Sequence, residues 1–243
     1  MASIADLLIV NAAEVVTCAG FSQAPARGAD QGRLAVIEEG AVAVAGGRIQ
    51  EVGKSADLRK AYPLPDDQII DAGGGVVLPG FVDPHTHLVF AGERSAEWED
   101  RMQGQPYLEI LRKGGGIRST VRATRAASTD ELLDNASLWA RRCYRHGTTT
   151  MEIKSGYGLD RETELKMLEV AQRLTGADLP RVVSTYLGAH VLPSDYATDR
   201  EGYLRLVERT AVEVKERQLA RFFYVFCEQE AFTLAETERL LKH

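Results

Sequence analysis

The chain has 243 residues, of which 44% are hydrophobic, 26% charged and 7% aromatic, a balance that suits a large buried core and excludes a disordered segment. A formal net charge of -6, a pI near 5.5 and Lys and Arg spread along the chain rule out a general attraction to nucleic acid or to anionic membrane, leaving a small molecule as the expected partner. No run approaches the ~20 apolar residues of a membrane span. Met1-Ala2-Ser3-Ile4-Ala5-Asp6 lacks the basic start and apolar core of a signal peptide, and Cys18, Cys143 and Cys227 lack Cys-x-x-Cys spacing, so a cytoplasmic protein with buried thiols is expected.

Residues 1 to about 78 read as all-β. Leu7 to Val10 and Glu14 to Cys18 are apolar runs, and Ala41 to Ala45 meets Arg48 to Val52 through Gly46-Gly47, a hairpin signal. Phe21 to Gln31 reads as a surface loop, and a helical turn around Ala56 to Ala61 leads to Ile69-Ile70-Asp71. After Pro79, strand and helix alternate, which favours a parallel sheet with helical crossovers and marks a domain boundary. Ser128 to His146 forms a helix opened by the capping box Ser128-Thr129-Asp130-Glu131 and stopped by Gly147. Thr148 to Ile153 is the next strand, followed by a helix capped near Asp160 and by the strand Val182 to Leu187. A helix at about Arg200 to Gln218, a strand at Phe222 to Phe226 and a helix opened by the capping box Thr233-Leu234-Ala235-Glu236 complete four strand-plus-helix units. A closed β/α barrel needs eight such units and about 250 residues.

The most informative stretch is Leu78-Pro79-Gly80-Phe81-Val82-Asp83-Pro84-His85-Thr86-His87. Strand side chains alternate, so His85 and His87 project from one face, and both imidazoles can reach one metal ion. Pro79, Gly80 and Pro84 bracket what reads as a short buried strand, where polar imidazoles are costly unless something binds them. Imidazole suits Zn or Fe, and an ion held this way activates water for attack at neutral pH. Arg94 lies in the loop after this strand, and its planar fork suits a substrate carboxylate. Gly114-Gly115-Gly116-Ile117 is too rich in glycine for a helix and reads as an active-site loop. Tyr157, in Lys154-Ser155-Gly156-Tyr157-Gly158, and His190, in Leu187-Gly188-Ala189-His190, also follow strands, so they share the rim where barrel active sites collect.

Together these segments resemble the metal-dependent amidohydrolase superfamily and, within it, the imidazolonepropionase family of histidine degradation. The resemblance implies a TIM-like β/α barrel of the amidohydrolase type, with residues 79–243 as its first half and residues 1–78 as part of a small N-terminal β-sandwich domain. It further implies hydrolysis of 4-imidazolone-5-propanoate to N-formimidoyl-L-glutamate at one divalent metal ion, Zn or Fe. On that pattern His85 and His87 are metal ligands, Arg94 grips the propanoate carboxylate, and Tyr157 and His190 contact substrate, with His190 also polarising the ring carbonyl. A homodimer is a further expectation from the family. The family's third metal-binding histidine, its glutamate and its aspartate have no counterpart before His243, so the expectation is a fragment or truncated product with little activity unless complemented. The alternatives are another amidohydrolase, such as a deaminase or a cyclic amidase, and a non-catalytic binding or assembly module. Two-metal relatives often use a carboxylated lysine on the fourth strand, which here ends Phe226-Cys227-Glu228, while Lys154 falls on the second.

Overall fold

The computed structural model describes residues 5–20, 24–106, 109, 114–228 and 231–242. They divide into two compact units, Met1–Pro79 and Gly80–His243. The first carries β1 (Leu7–Val16), β2 (Val36–Ala45), β3 (Arg48–Lys54), α1 (Ser55–Ala61), β4 (Ile69–Asp71) and β5 (Val76–Val77). They form one mixed five-stranded sheet in the order β3-β2-β1-β4, with β5 also beside β1. Gly46 and Gly47 have φ of 57° and 73°, the left-handed pair that a two-residue hairpin turn requires.

Ile9 faces Val42 and Ala12 faces Gly40, so β1 spends three steps where β2 spends two, and Asn11 takes φ of 55° at the bulge. The extra residue reverses the alternation. Leu8 and Val10 pack with Ala41, Ala43, Leu58 and Tyr62, whereas Ala12 and Val15 pack with Val42 on the other face. The two apolar runs read from sequence are therefore one strand serving two clusters. The N-terminal β domain expected from the sequence is this mixed sheet among the described residues, covered on its first face by Leu58 of α1 and by Tyr62.

The second unit carries β6 (Phe81–Thr86), α2 (Ser95–Met102), α3 (Ile117–Ala126), α4 (Thr129–Arg145), β7 (Thr148–Lys154), α5 (Arg161–Arg173), β8 (Arg181–Ala189), α6 (Arg200–Glu216), β9 (Phe222–Val225) and α7 (Leu234–Lys242). Its four strands are parallel in the order β6-β7-β8-β9, so their C-terminal ends form one rim, as in half of a β/α barrel. Local chemistry fixes the helix starts. Ser128 and Glu131 cap each other at 2.8 and 3.2 Å, Thr233 and Glu236 at 2.8 and 3.3 Å, and Asp160 accepts the Thr163 N–H at 2.7 Å. Met151 and Ile153 of β7 pack with Leu132, Ala136 and Ala140 of α4 and with Met167 and Val170 of α5. A second cluster joins Tyr186 of β8 and Val225 of β9 to Leu165, Tyr203, Val207 and Phe232.

Two expectations change. β6 is not a buried strand: Phe81 is 56% and Val82 63% exposed, since among the described residues β6 has a partner only in β7. The cysteines are free, with Cys18 and Cys227 exposed just past strand ends and Cys143 half-buried on α4. Residues 21–23 of the expected loop lie outside the described residues, as does His243, and Gly28–Gly32 of that loop forms a short 3-10 turn.

Candidate active site

The rim gathers four rings. His85 and His87 have centroids 5.8 Å apart at an interplanar angle of 63°. His87 stacks on His190 at 5.0 Å and 15°, and Tyr157 lies 4.9 Å from His87 and 5.6 Å from His190. Their positions come from β6, β7 and β8, whose ends lie side by side.

Simple alternation does not deliver the histidine pair. Asp83 faces Met151 and Thr86 faces Ile153, so β6 carries one extra residue around Pro84-His85, and His87 follows the strand's last residue. Proline, lacking an N–H, suits such a bulge, and the kink re-aims His85. Thr86 anchors the turn by donating from Oγ1 to the Glu152 carbonyl at 2.6 Å.

His87 is buried enough to push its imidazole pKa down to about 3, mainly by desolvation and then by His190, His85 and Lys154, while contact with the Ser155 backbone opposes the shift. Its Nδ1 is buried with no hydrogen-bond partner among the described residues. An unprotonated imidazole with an orphaned lone pair is the donor a metal needs. A ring bound through nitrogen at about 2.1 Å lies roughly 3.2 Å from the metal by its centroid, so the pair's separation suits one shared ion. Two ligands do not make a complete site. Among the described residues, no group of three or more His, Cys, Asp or Glu side chains gathers as a ligand set.

His190 Nδ1 lies 2.8 Å from the Gly156 carbonyl oxygen, which can only accept, so Nδ1 carries the proton and Nε2 keeps a lone pair. Burial lowers the His190 pKa, with Gly156 opposing and His85 adding to the shift. A neutral His190 in this tautomer accepts hydrogen bonds at Nε2, which runs against the expectation that it polarises a carbonyl by donation.

Arg94 immediately precedes α2. Its Nε donates to Glu97 at 2.8 Å, and the other Glu97 oxygen accepts from Gly116 N–H at 2.9 Å and Ser119 Oγ at 3.3 Å. The clamp ties Arg94 to the glycine loop. Lys154 is buried and pairs with Glu152 at 2.5 Å, with its ammonium 5.5 Å from the Tyr224 ring centroid.

Sequence reasoning missed Glu164. Its carboxylate is fully buried and accepts from the N–H groups of Gly156 (2.9 Å), Gly158 (2.8 Å) and Leu159 (2.9 Å), the loop that carries Tyr157. The available signal was a carboxylate spaced four residues from Leu168 and seven from Ala171, inside the apolar stripe of α5.

The Amidohydrolase family model matches residues 68–238. The chain belongs to the amidohydrolase family. A second model, the bacterial imidazolonepropionase-like composite domain, matches residues 40–63. This amidohydrolase is homologous to curated imidazolonepropionases. It is 48% identical to that of Myxococcus xanthus over 237 residues, covering 97% of this chain and 55% of the relative, and 45% identical to that of Geobacillus thermodenitrificans over 239 residues, covering 97% and 56%. The chain thus spans about 55% of the length of the curated relatives it matches. Among solved structures, the ochratoxinase of A. niger superposes with a TM-score of 0.55 at 16% identity, covering 97% of this chain and 52% of that one. The zinc-complexed atrazine chlorohydrolase TrzN of Arthrobacter aurescens TC1 gives 0.54 at 16%, covering 97% and 50%. At such identities the likeness is one of fold.

Proposed function

We propose that this amidohydrolase chain carries substrate recognition and part of the metal binding for hydrolytic opening of 4-imidazolone-5-propanoate to N-formimidoyl-L-glutamate in the cytoplasm. The observation that carries the reading is the convergence of His85, His87, Tyr157 and His190 at one strand rim, in a chain 48% identical to an imidazolonepropionase. His85 and His87 hold one divalent ion, Zn or Fe, both of which imidazole accepts. When bound, such an ion supplies Lewis acidity and activates water.

The chain's own residues do the rest. Arg94, with Nε committed to Glu97, presents its two terminal nitrogens to the propanoate carboxylate. His190 Nε2 accepts the ring N–H, and the Tyr157 hydroxyl contacts a polar atom of the same ring. Stacking of His190 on His87 holds the substrate contact beside the metal ligand. Water then adds across the ring amide, with hydroxyl going to the carbonyl carbon and a proton to the departing nitrogen as the C–N bond breaks.

The test is ring opening of the imidazolone by the purified, Zn- or Fe-loaded chain, alone and mixed with the part of a homologous imidazolonepropionase that lies beyond the aligned region. Metal-dependent turnover that His85→Ala abolishes is the expected result. Absence of turnover in both preparations, with no divalent cation bound at the histidine pair, would overturn the reading.

A further inference from the structure

Glu164 lies outside the ring cluster, yet three backbone N–H groups of the Tyr157 loop converge on it, while Arg125 holds the Gly158 and Leu159 carbonyls from outside at 2.7 and 3.2 Å. Its Oε1 accepts from Gly158 N–H at 2.8 Å and Leu159 N–H at 2.9 Å, and its Oε2 accepts from Gly156 N–H at 2.9 Å. The Ser155 hydroxyl accepts the Leu187 N–H of β8 at 2.9 Å and turns its own proton toward the same carboxylate. Gly156 in turn accepts the His190 Nδ1 proton at 2.8 Å. One carboxylate therefore sits at the junction of a chain running from β8, through Ser155 and Gly156, to the imidazole that faces the rim.

Helix stability does not require this arrangement. Asp160 already caps α5 through Thr163 N–H and the Thr163 hydroxyl, so Glu164 is free to serve the loop alone. The loop needs such an acceptor because it cannot form regular structure. Gly156 has φ of 102°, and a Cβ there would lie 3.0 Å from both His190 Nδ1 and the Leu187 carbonyl oxygen. Its N–H groups turn inward, away from water, and a buried donor without a partner is costly. A neutral side chain would leave some unsatisfied: glutamine brings two donors into a space already crowded with donors.

We infer that Glu164 is a positioning residue of the active site: its buried carboxylate locks the Ser155–Leu159 loop so that Gly156 fixes His190 with Nδ1 protonated and Nε2 open to the rim, and so that the Tyr157 ring stands against His87. This deepens the proposed ring-opening function and rests on it for the word active, while the geometry of the lock stands without metal or turnover.

Nitrogen-15 NMR on the purified full chain, labelled at histidine and glycine and kept metal-free, reads the lock directly. The wild type gives His190 as a single tautomer with a protonated Nδ1, and gives slowly exchanging Gly156 and Gly158 amides shifted downfield by the carboxylate. Glu164→Gln loses both signatures, with the two His190 tautomers populated together, while Ser128→Ala, which removes a helix cap outside this network, keeps them even where it lowers the melting temperature. If Glu164→Gln does not fold, Ser155→Ala takes its place and shifts the Gly156 amide and the His190 pattern in the same sense. A wild-type His190 protonated at Nε2, or a folded Glu164→Gln with unchanged His190 and glycine signals, overturns the inference. An intact lock in a chain that opens no imidazolone either alone or complemented, and that binds no divalent cation at the histidine pair, overturns the function and leaves the lock standing.

Discussion

Between pH 6.5 and about 3 the unfolded chain protonates the imidazole of residue 87, whereas native His87, buried and already facing His190, His85 and Lys154, stays neutral. The native state binds fewer protons in that window, so stability contributed by this residue is fully present above pH 6.5 and is lost as pH falls toward 3. The thermal midpoint of the metal-free protein should fall across that interval, and His87→Phe, which cannot titrate, should show a shallower decline by circular dichroism. Added Zn should raise the wild-type midpoint through mass action, and His87→Ala should weaken Zn binding by at least about tenfold in calorimetry. Unchanged Zn affinity in that variant would remove His87 from the ligand set. The histidines and Tyr157 were legible because each follows an apolar strand run, and strand ends are where a parallel sheet presents side chains to a ligand. Glu164 was not, since a carboxylate in an apolar stripe reads as a flaw in the pattern until the loop folded over it is seen.

Helix starts were legible for a related reason: a capping box is written within four residues, and both Ser128-Glu131 and Thr233-Glu236 form as their spacing dictates. Glu236 also receives Arg200 through two bonds, at 2.5 and 2.8 Å, and Arg200 donates further to the Ala231 carbonyl. Arg200, followed by the Thr233 bonds, holds the Glu236 carboxyl down at about 2, below its ordinary value of 4.5. A carboxylate lowered on folding contributes stability above pH 4.5 and loses it as pH falls through 2. Glu236→Gln should therefore unfold with a flatter acid limb than the wild type in urea melts taken from pH 5 to pH 2; an identical limb would show that the pair contributes nothing. The bulges of β1 and β6 were not legible. Each depends on the partner strand's register, and no local signal in Asn11 or Pro84 states which residue will lie opposite.

Each unit has clusters of its own: Leu8 belongs to one in the first, and Leu168 to one in the second. Leu8→Ala and Leu168→Ala should each cost about 2–5 kcal/mol in their own unit, and calorimetry should show each lowering a different transition. A single transition lowered equally by both would mean that the units melt as one. The alternation of strand and helix made the parallel sheet legible, but the exposure of Phe81, Val82 and Phe222 was not, because it depends on what lies beyond the outer strands. Among the described residues β9 has a ladder partner only in β8, as β6 has only in β7. Unpaired strand edges and apolar surface favour association. Light scattering should show it rising with concentration, and Val82→Lys should reduce it.

The concave side of that sheet, lined by Val82, His85, Thr150, Lys154, Thr185 and Tyr224, bounds an open cleft of about 550 Å³. A cleft of that size admits bulk solvent, whose dipoles and dissolved salt dampen each charge along its walls. An electric field strong enough to polarise a carbonyl persists only where the medium is dry. The reactivity of an imidazole pair beside such a basin is therefore governed less by the nitrogens than by whatever surface shuts the basin against the bath.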